Sequence, residues 1–272
     1  LKKKLLGSVI LASSVFTIVG CSNQPPEKAE SKAFLADEIQ QINIQSNVAN
    51  ISVQPTQEEE IKVELWKKEG DDSIHLKANQ QDKSLEIKAI GSVKSGIQLD
   101  LDLTLPDVKV YLPHKLYEQV TMKTEAGNIY SRSIQAGDVK FATKTGSVKF
   151  NEVKSEKIKG VSSAGNMTLQ KIIGSFDLQS ETGQVNVSLR EDPIGENQIN
   201  VKNGKVQVRM DKNPQSLKVD LDSQINEVKT DFLIHPSSNG TKKKLGYIGE
   251  KKEDSPVLKV KSVTGEIYLT KK

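Results

Sequence analysis

ATKTGSVKF, residues 142–150, places one glycine between two short stretches in which apolar and polar side chains alternate. Alternation with a period of two marks a strand with one buried face. One turn between two such strands suits a hairpin, and alternation alone would suit a meander. Aligning the chain on Gly146 shows more. The same figure returns at Gly127 (KTEAGNIYS), Gly165 (SSAGNMTLQ), Gly183 (SETGQVNV), Gly204 (VKNGKVQV) and Gly265 (SVTGEIYL). From Gly127 to Gly204 the spacings are 19, 19, 18 and 21 residues, and a steady period in this range marks a repeat architecture.

The flanking positions agree as well. Two and four residues after the glycine the side chains are apolar, as in Val148 and Phe150 or Val206 and Val208, with Ser131 the one break. Five before it stand Met122, Phe141, Gly160, Leu178, Ile199 and Val260; seven before, the apolar series lapses only at Asn197. Three before it a hydroxyl recurs at Thr124, Thr143, Ser162, Ser180 and Ser262, small enough to tuck into the corner and bond the turn backbone. Glycine itself suits a turn that needs positive φ. INIQSNVANISV (42–53) is a degenerate copy with Ala49 in the glycine position, fitting the atypical end unit that a repeat array needs.

Like residues stack on like when each unit is one coil laid about 4.8 Å above the last. The reading favoured is therefore an all-β, single β-solenoid-like repeat domain over 38–272, built from strand–turn–strand rungs. Further strands are expected at 61–67, 73–78, 84–90 and 96–105. The polar segment 235–256 reads as a long loop, a kind of segment that often carries function.

The lead-in LDLDLTLPDVKVYLPHKLYEQVTMKTEAGNIYS, the four T/S-x-x-G units after it and the closing KSVTGEIYL resemble the DUF4097 family, over roughly residues 38 to 270. The resemblance implies an adhesin-like, envelope-facing bacterial protein of β-strand repeats, and it brings no catalytic residues with it.

The N-terminus, LKKKLLGSVILASSVFTIVGC, has three lysines followed by an uncharged, mostly apolar run from Leu5 to Gly20. That is the layout of a secretory signal peptide, short for a membrane span. Ile18-Val19-Gly20-Cys21 resembles the lipobox of bacterial lipoproteins. By that resemblance residues 1–20 are a leader, and Cys21 carries the lipid (palmitate among its acyl chains). Residues 21–37, with SNQPPEKAESKA, are then a polar tether. Cys21 is the single cysteine, so no thiol is left for disulfides, metal or catalysis. The 39 basic and 35 acidic residues give +4; without the leader lysines the chain is nearly neutral, which gives no argument for nucleic acid.

Candidate chemistry is sparse. His75, His114 and His235 are far apart and no metal-ligand spacing is present, so no cofactor is expected. Asp100 with Asp102, and Asp220 with Asp222, alternate with apolar residues and read as the wet face of strands rather than a calcium or glycosidase pair. VTGE (263–266) reads as the last glycine turn rather than a sorting signal. Lys242, Lys243 and Lys244 could touch anionic headgroups or wall polymer. With one tryptophan in the chain, no aromatic ladder for sugars or bases is apparent.

The expectation is a non-enzymatic, lipid-anchored surface protein that binds or scaffolds, on the extracytoplasmic face of a membrane and with a preference for a Gram-positive envelope. Its partner would be a wall polymer or a membrane protein. An accessory role in envelope-stress sensing is the alternative, and a β-helix polysaccharide-active enzyme a second one. The oligomeric state is open.

Overall fold

The computed structural model describes residues 25–92, 104–236 and 240–272, and every regular element among them is a strand. The N-terminal part holds β1 (Glu27–Leu35), β2 (Gln41–Ser46), β3 (Asn50–Thr56), β4 (Glu60–Lys67), β5 (Ile74–Gln81), β6 (Ser84–Gly91) and β7 (Asp107–Pro113). The glycine repeats form β8 (Tyr117–Ala126), β9 (Ile129–Thr145), β10 (Val148–Ala164), β11 (Met167–Thr182), β12 (Val185–Leu189), β13 (Glu196–Asn203) and β14 (Val206–Met210). The chain closes with β15 (Ser216–Ser223), β16 (Val228–Thr230), β17 (Lys243–Gly249), β18 (Val257–Ser262) and β19 (Ile267–Lys271). The leader and Cys21 lie outside the described residues, as does most of the strand expected at 96–105.

Strand pairing answers the question set by Gly146. β9 and β10 pair in parallel along both halves, Ile129 beside Val148 before the corner and Val139 beside Ile158 after it. β10 and β11 repeat this, Val148 beside Met167 and Ile158 beside Phe176. A hairpin would pair its own two arms in antiparallel fashion. Here each arm stacks on the same arm of the neighbouring unit, so each unit is a solenoid rung. Each long strand runs from one glycine turn, through a corner, to the next turn.

Successive rungs align the repeat positions. Ile129, Val148, Met167, Val185, Val206 and Ile267 form one inward column, each at most 1% exposed. Fully burying one such side chain is worth roughly 1.5–3 kcal/mol, so the stack of columns replaces the disulfides that the chain lacks. The degenerate first copy is in register: Ile44 sits beside Met122, Ser46 beside Thr124 and Ile51 beside Ile129.

The exceptions to the repeat have packing reasons. Gly160 leaves the space that the Phe141 ring fills, and that ring meets Phe150 edge-on at 4.9 Å and 68°. Asn197, 1% exposed, donates to the carbonyls of Ile194 (3.0 Å) and Val257 (3.2 Å). It thereby ties the loop that lengthens this repeat to the next rung.

The order of rungs in space differs from the order in sequence. β18 pairs with both β13 and β15, and β19 with both β14 and β16. The Gly265 rung is thus inserted between the Gly204 rung and a further rung made by β15 and β16. In that further rung Ser223 lies beside Ser262 and Val228 beside Ile267, which puts Asn226 where the others have glycine.

Two expectations are corrected. The second half of the expected tether is β1, paired antiparallel to β4; backbone hydrogen bonds hold it at the edge, with Phe34 packing on the core. The expected long loop contains β17, paired antiparallel to β15 from Lys243 to Gly249. An open strand edge is a template for unwanted pairing. At the N-terminal end side chains occupy that edge: Glu30 accepts from the Leu76 amide (3.1 Å), while Lys32 and Lys67 donate to the carbonyls of Ala78 (3.4 Å) and Ile74 (3.1 Å).

Candidate binding surfaces

The glycine turns form a ridge along the solenoid. At Gly146 φ is +140°, and a Cβ would lie 2.0 Å from the carbonyl oxygen of Gly127 in the rung below. Both the backbone conformation and the close approach of two rungs therefore require glycine. Gly127, Gly165, Gly183 and Gly204 repeat the arrangement, and at Gly265 a Cβ would lie 1.7 Å from the Gly204 oxygen. The hydroxyl position bonds the adjacent turn at three of its five expected places, Thr124 donating to Ala49 (3.0 Å), Thr143 to Gly127 (3.4 Å) and Ser262 to Gly204 (3.2 Å), while the buried Ser162 and Ser180 hydroxyls have no partner among the described residues. Ser223 donates likewise to Gly265 (2.9 Å). One residue past the glycine, asparagine side chains accept amides of the next turn, Asn50 from Asn128 and Asn128 from Ser147, each at 2.8 Å. The ridge is consumed in holding rungs together.

The opposite corner carries a second column. Ser133, Glu152 and Lys171 have φ of +53°, +61° and +55°. Glu152 accepts from Lys171 Nζ at 2.6 Å and from Ser133 Oγ at 3.3 Å. The lysine bond, then its charge, holds the Glu152 carboxyl below the usual carboxylate range.

Of the three lysines singled out, Lys243 and Lys244 lie on β17 and Lys242 just before it. Lys243 reaches Asp222 (3.5 Å) and Asp220 (3.9 Å), so this carboxylate pair has a lysine partner across the strands. Lys244 is half-buried and pairs in register with Leu221 of the inward series. These lysines sit on an edge strand, where charge discourages further pairing. Asp100 and Asp102 lie outside the described residues. His75 approaches Glu30 (3.5 Å) and His235 bridges Tyr247, so the structure does not bring the histidines together. Among the described residues no three His, Cys, Asp or Glu side chains are grouped to hold a metal. No helix there is long and apolar enough to cross a membrane.

A cluster that sequence reasoning missed lies on the outer side of β4. Glu64, 3% exposed, accepts from Trp66 Nε1 (2.8 Å) and faces Lys62 (3.0 Å) and Lys28 (3.7 Å). Lys109 Nζ stands 3.7 Å from the centre of the Trp66 ring. Burial pushes the Glu64 pKa up, but the bonds from Trp66 and Lys62 outweigh it and leave it below the ordinary value. The signal existed only in the pairings of β1, β4 and β7, which no local pattern reveals.

Two shallow grooves cross the outer faces of the rungs. One, of about 440 Å³, lies on the pre-turn arms near the ridge, over Val161, Gln179, Asn200 and Val263, beside the Glu181–Lys202 pair (3.2 Å). The other, of about 420 Å³, lies on the post-turn arms over Gln54, Tyr130, Arg132, Lys149, Asn151 and Gln170.

The family model described as Toastrack DUF4097 matches residues 98–270. No curated protein matches the chain. Among solved structures, a candidate cell adhesion protein from Clostridium sporogenes ATCC 15579 is 15% identical with a TM-score of 0.45, over 91% of this chain and 100% of its own. A candidate adhesin from Bacteroides fragilis NCTC 9343 is 11% identical with a TM-score of 0.45, over 91% of this chain and 99% of its own.

Proposed function

The chain belongs to the Toastrack DUF4097 family, and from that premise we propose that it is a non-catalytic binding or scaffolding domain displayed on the cell surface. The observation that carries this reading is the stacking itself. Outward residues on successive rungs stand in columns at a spacing of about 4.8 Å, giving extended faces on a rigid frame. Solenoids bind through such faces with many weak contacts rather than one deep pocket. The adhesin names of the two solved proteins above accord with this role. The leader and Cys21 would deliver and anchor the domain, two acyl chains sufficing for stable attachment where one is marginal.

In-cell cross-linking of the full-length protein, followed by identification of what is captured, tests the proposal. Wall polymer or foreign surface material is the expected catch. Reproducible recovery of one membrane signalling protein would replace this reading with the stress-sensing one. Replacing Cys21 by alanine should abolish incorporation of labelled palmitate and release the protein from membranes; unchanged labelling would remove the anchor from the account.

A further inference from the structure

The two outer faces differ in charge. On the pre-turn arms, lysines alternate with carboxylates: Asp138, Asp177, Asp220 and Asp222 stand in register with Lys157, Lys159, Lys259 and Lys261. On the post-turn arms, two outward columns cross the stack. One runs from Lys109 through Ser52, Tyr130 and Lys149 to Tyr268 and Lys229. The other has three registered stretches, Tyr111 with Gln54, Arg132 through Asn151 to Gln170, and Ser188 through Arg209 to Thr270. Gln54 and Arg132 line one groove, and a register shift in β11 separates the last two stretches. Between β7 and β16 no position in either column is Asp or Glu; at the ends, Lys109 stands beside Glu64 of β4, and Lys229 pairs with Glu266 and Glu227. Side-chain amides, hydroxyls and tyrosines fill the places between the cations.

The groove at Tyr130 concentrates these properties. Tyr130 is 41% exposed, with Arg132 and Lys149 beside it, and neither cation has a carboxylate partner among the described residues. Gln54, Asn151 and Gln170 add amide donors and acceptors along the same floor. The face crosses successive rungs, so a ligand that follows it must be extended. Unpaired cations call for anionic groups, which a guanidinium can take in bidentate fashion. Amides and hydroxyls suit a ligand rich in hydroxyls, and an exposed tyrosine offers a face on which a sugar ring can lie. Nine strands at about 4.8 Å span roughly 38 Å, enough for several sugar units.

We propose that the outer face of the post-turn arms, centred on Tyr130, Arg132 and Lys149, binds a strand of acidic polysaccharide, with uronate-type carboxylates at the cations and sugar hydroxyls at the amides. This rests on the surface-binding reading above and names its ligand class.

The test is direct binding of the full-length chain to alginate, polygalacturonate and hyaluronan oligomers, with neutral dextran and poly-glutamate as controls. At least one acidic glycan should bind, more tightly than poly-glutamate, while dextran does not. The double variant Arg132→Gln, Lys149→Gln should weaken binding about tenfold or more, the scale of losing a charge-assisted contact. The matched variant Lys157→Gln, Lys159→Gln on the other face removes the same charge and should leave affinity within about twofold, as a remote charge in screening salt does. Tyr130→Ala should weaken the glycan and not poly-glutamate. Absence of binding to all three glycans, equal losses in the two double variants, or poly-glutamate binding as tightly would overturn the proposal. If it falls while cross-linking still captures surface material, the ligand class is wrong and the surface-binding reading stands.

Discussion

Adding one methyl group at Gly160 should strain the core. Gly160 has no left-handed φ, so alanine fits its backbone, and the cost is steric. The new Cβ would stand 2.0, 2.5 and 2.6 Å from three atoms of the Phe141 ring. That ring is 3% exposed and is held edge-on against Phe150, so it has no free direction in which to swing. Overpacking of this kind costs about 1–3 kcal/mol. Loss of glycine's freedom in the unfolded chain returns about 0.4–1 kcal/mol, leaving a net destabilisation that centres on about 1.3 kcal/mol. The companion change Phe141→Leu shortens the ring's reach and should relieve the clash, so the two substitutions should couple by about 0.5–3 kcal/mol rather than add. Urea unfolding followed both by circular dichroism and by Trp66 fluorescence gives the energies and tests whether the stack melts as one unit. A neutral Gly160→Ala, or strict additivity in the double variant, would refute the packing argument.

Three further outcomes follow from the turns, the corner and the cap. Gly146→Ala should cost more than about 3 kcal/mol, because strain at φ +140° adds to a Cβ 2.0 Å from the Gly127 carbonyl. By contrast Gly70→Ala, at φ +74° with nothing within 4 Å, should cost only about 1–2 kcal/mol in the same urea titration. Ser133→Gly should stabilise by up to about 1 kcal/mol, since it relieves a non-glycine φ of +53° and gives up only a long bond of 3.3 Å; a loss of stability would count against strain at the corner. The depressed pKa of Glu64 means that its contribution is complete above the unfolded value, near 4.3. It should be lost as pH falls through the folded value. Thermal melts from pH 6 to 3 should therefore show a decline that Glu64→Gln flattens, and an identical pH profile in the variant would contradict this.

How much of the fold was legible depends on which interactions are local. The rung was readable because stacking makes the same demands every 19 residues or so: a glycine where a Cβ would strike the carbonyl of the rung below, a hydroxyl three before it, and apolar residues two and four after. Ala49 could be aligned because its neighbours kept those positions. The rung ending in β16 escaped because Asn226 replaces the glycine, and its place beyond the Gly265 rung is set by a reversal of order that leaves no mark in a period. β1 escaped for another reason. EKAESKAFL carries little apolar periodicity, and its attachment to β4 is made by backbone groups, which every sequence has. β17 was hidden by its lysines and glycines, the residues that suit an edge. The candidate surface was half legible. Once the period is known, Arg132, Asn151 and Gln170 fall into one column by counting. That Lys109 and Tyr111 extend these columns depends on the pairing of β7 with β3, which sequence spacing does not show.

The most direct test of the account places a photo-activatable phenylalanine analogue at Tyr130, on the post-turn face, or at Lys159, on the pre-turn face, of the full-length protein on living cells. The account predicts polysaccharide adducts from position 130, competed away by acidic glycan, and few from position 159. Equal adducts from both faces, or a discrete protein captured at position 130, would contradict it.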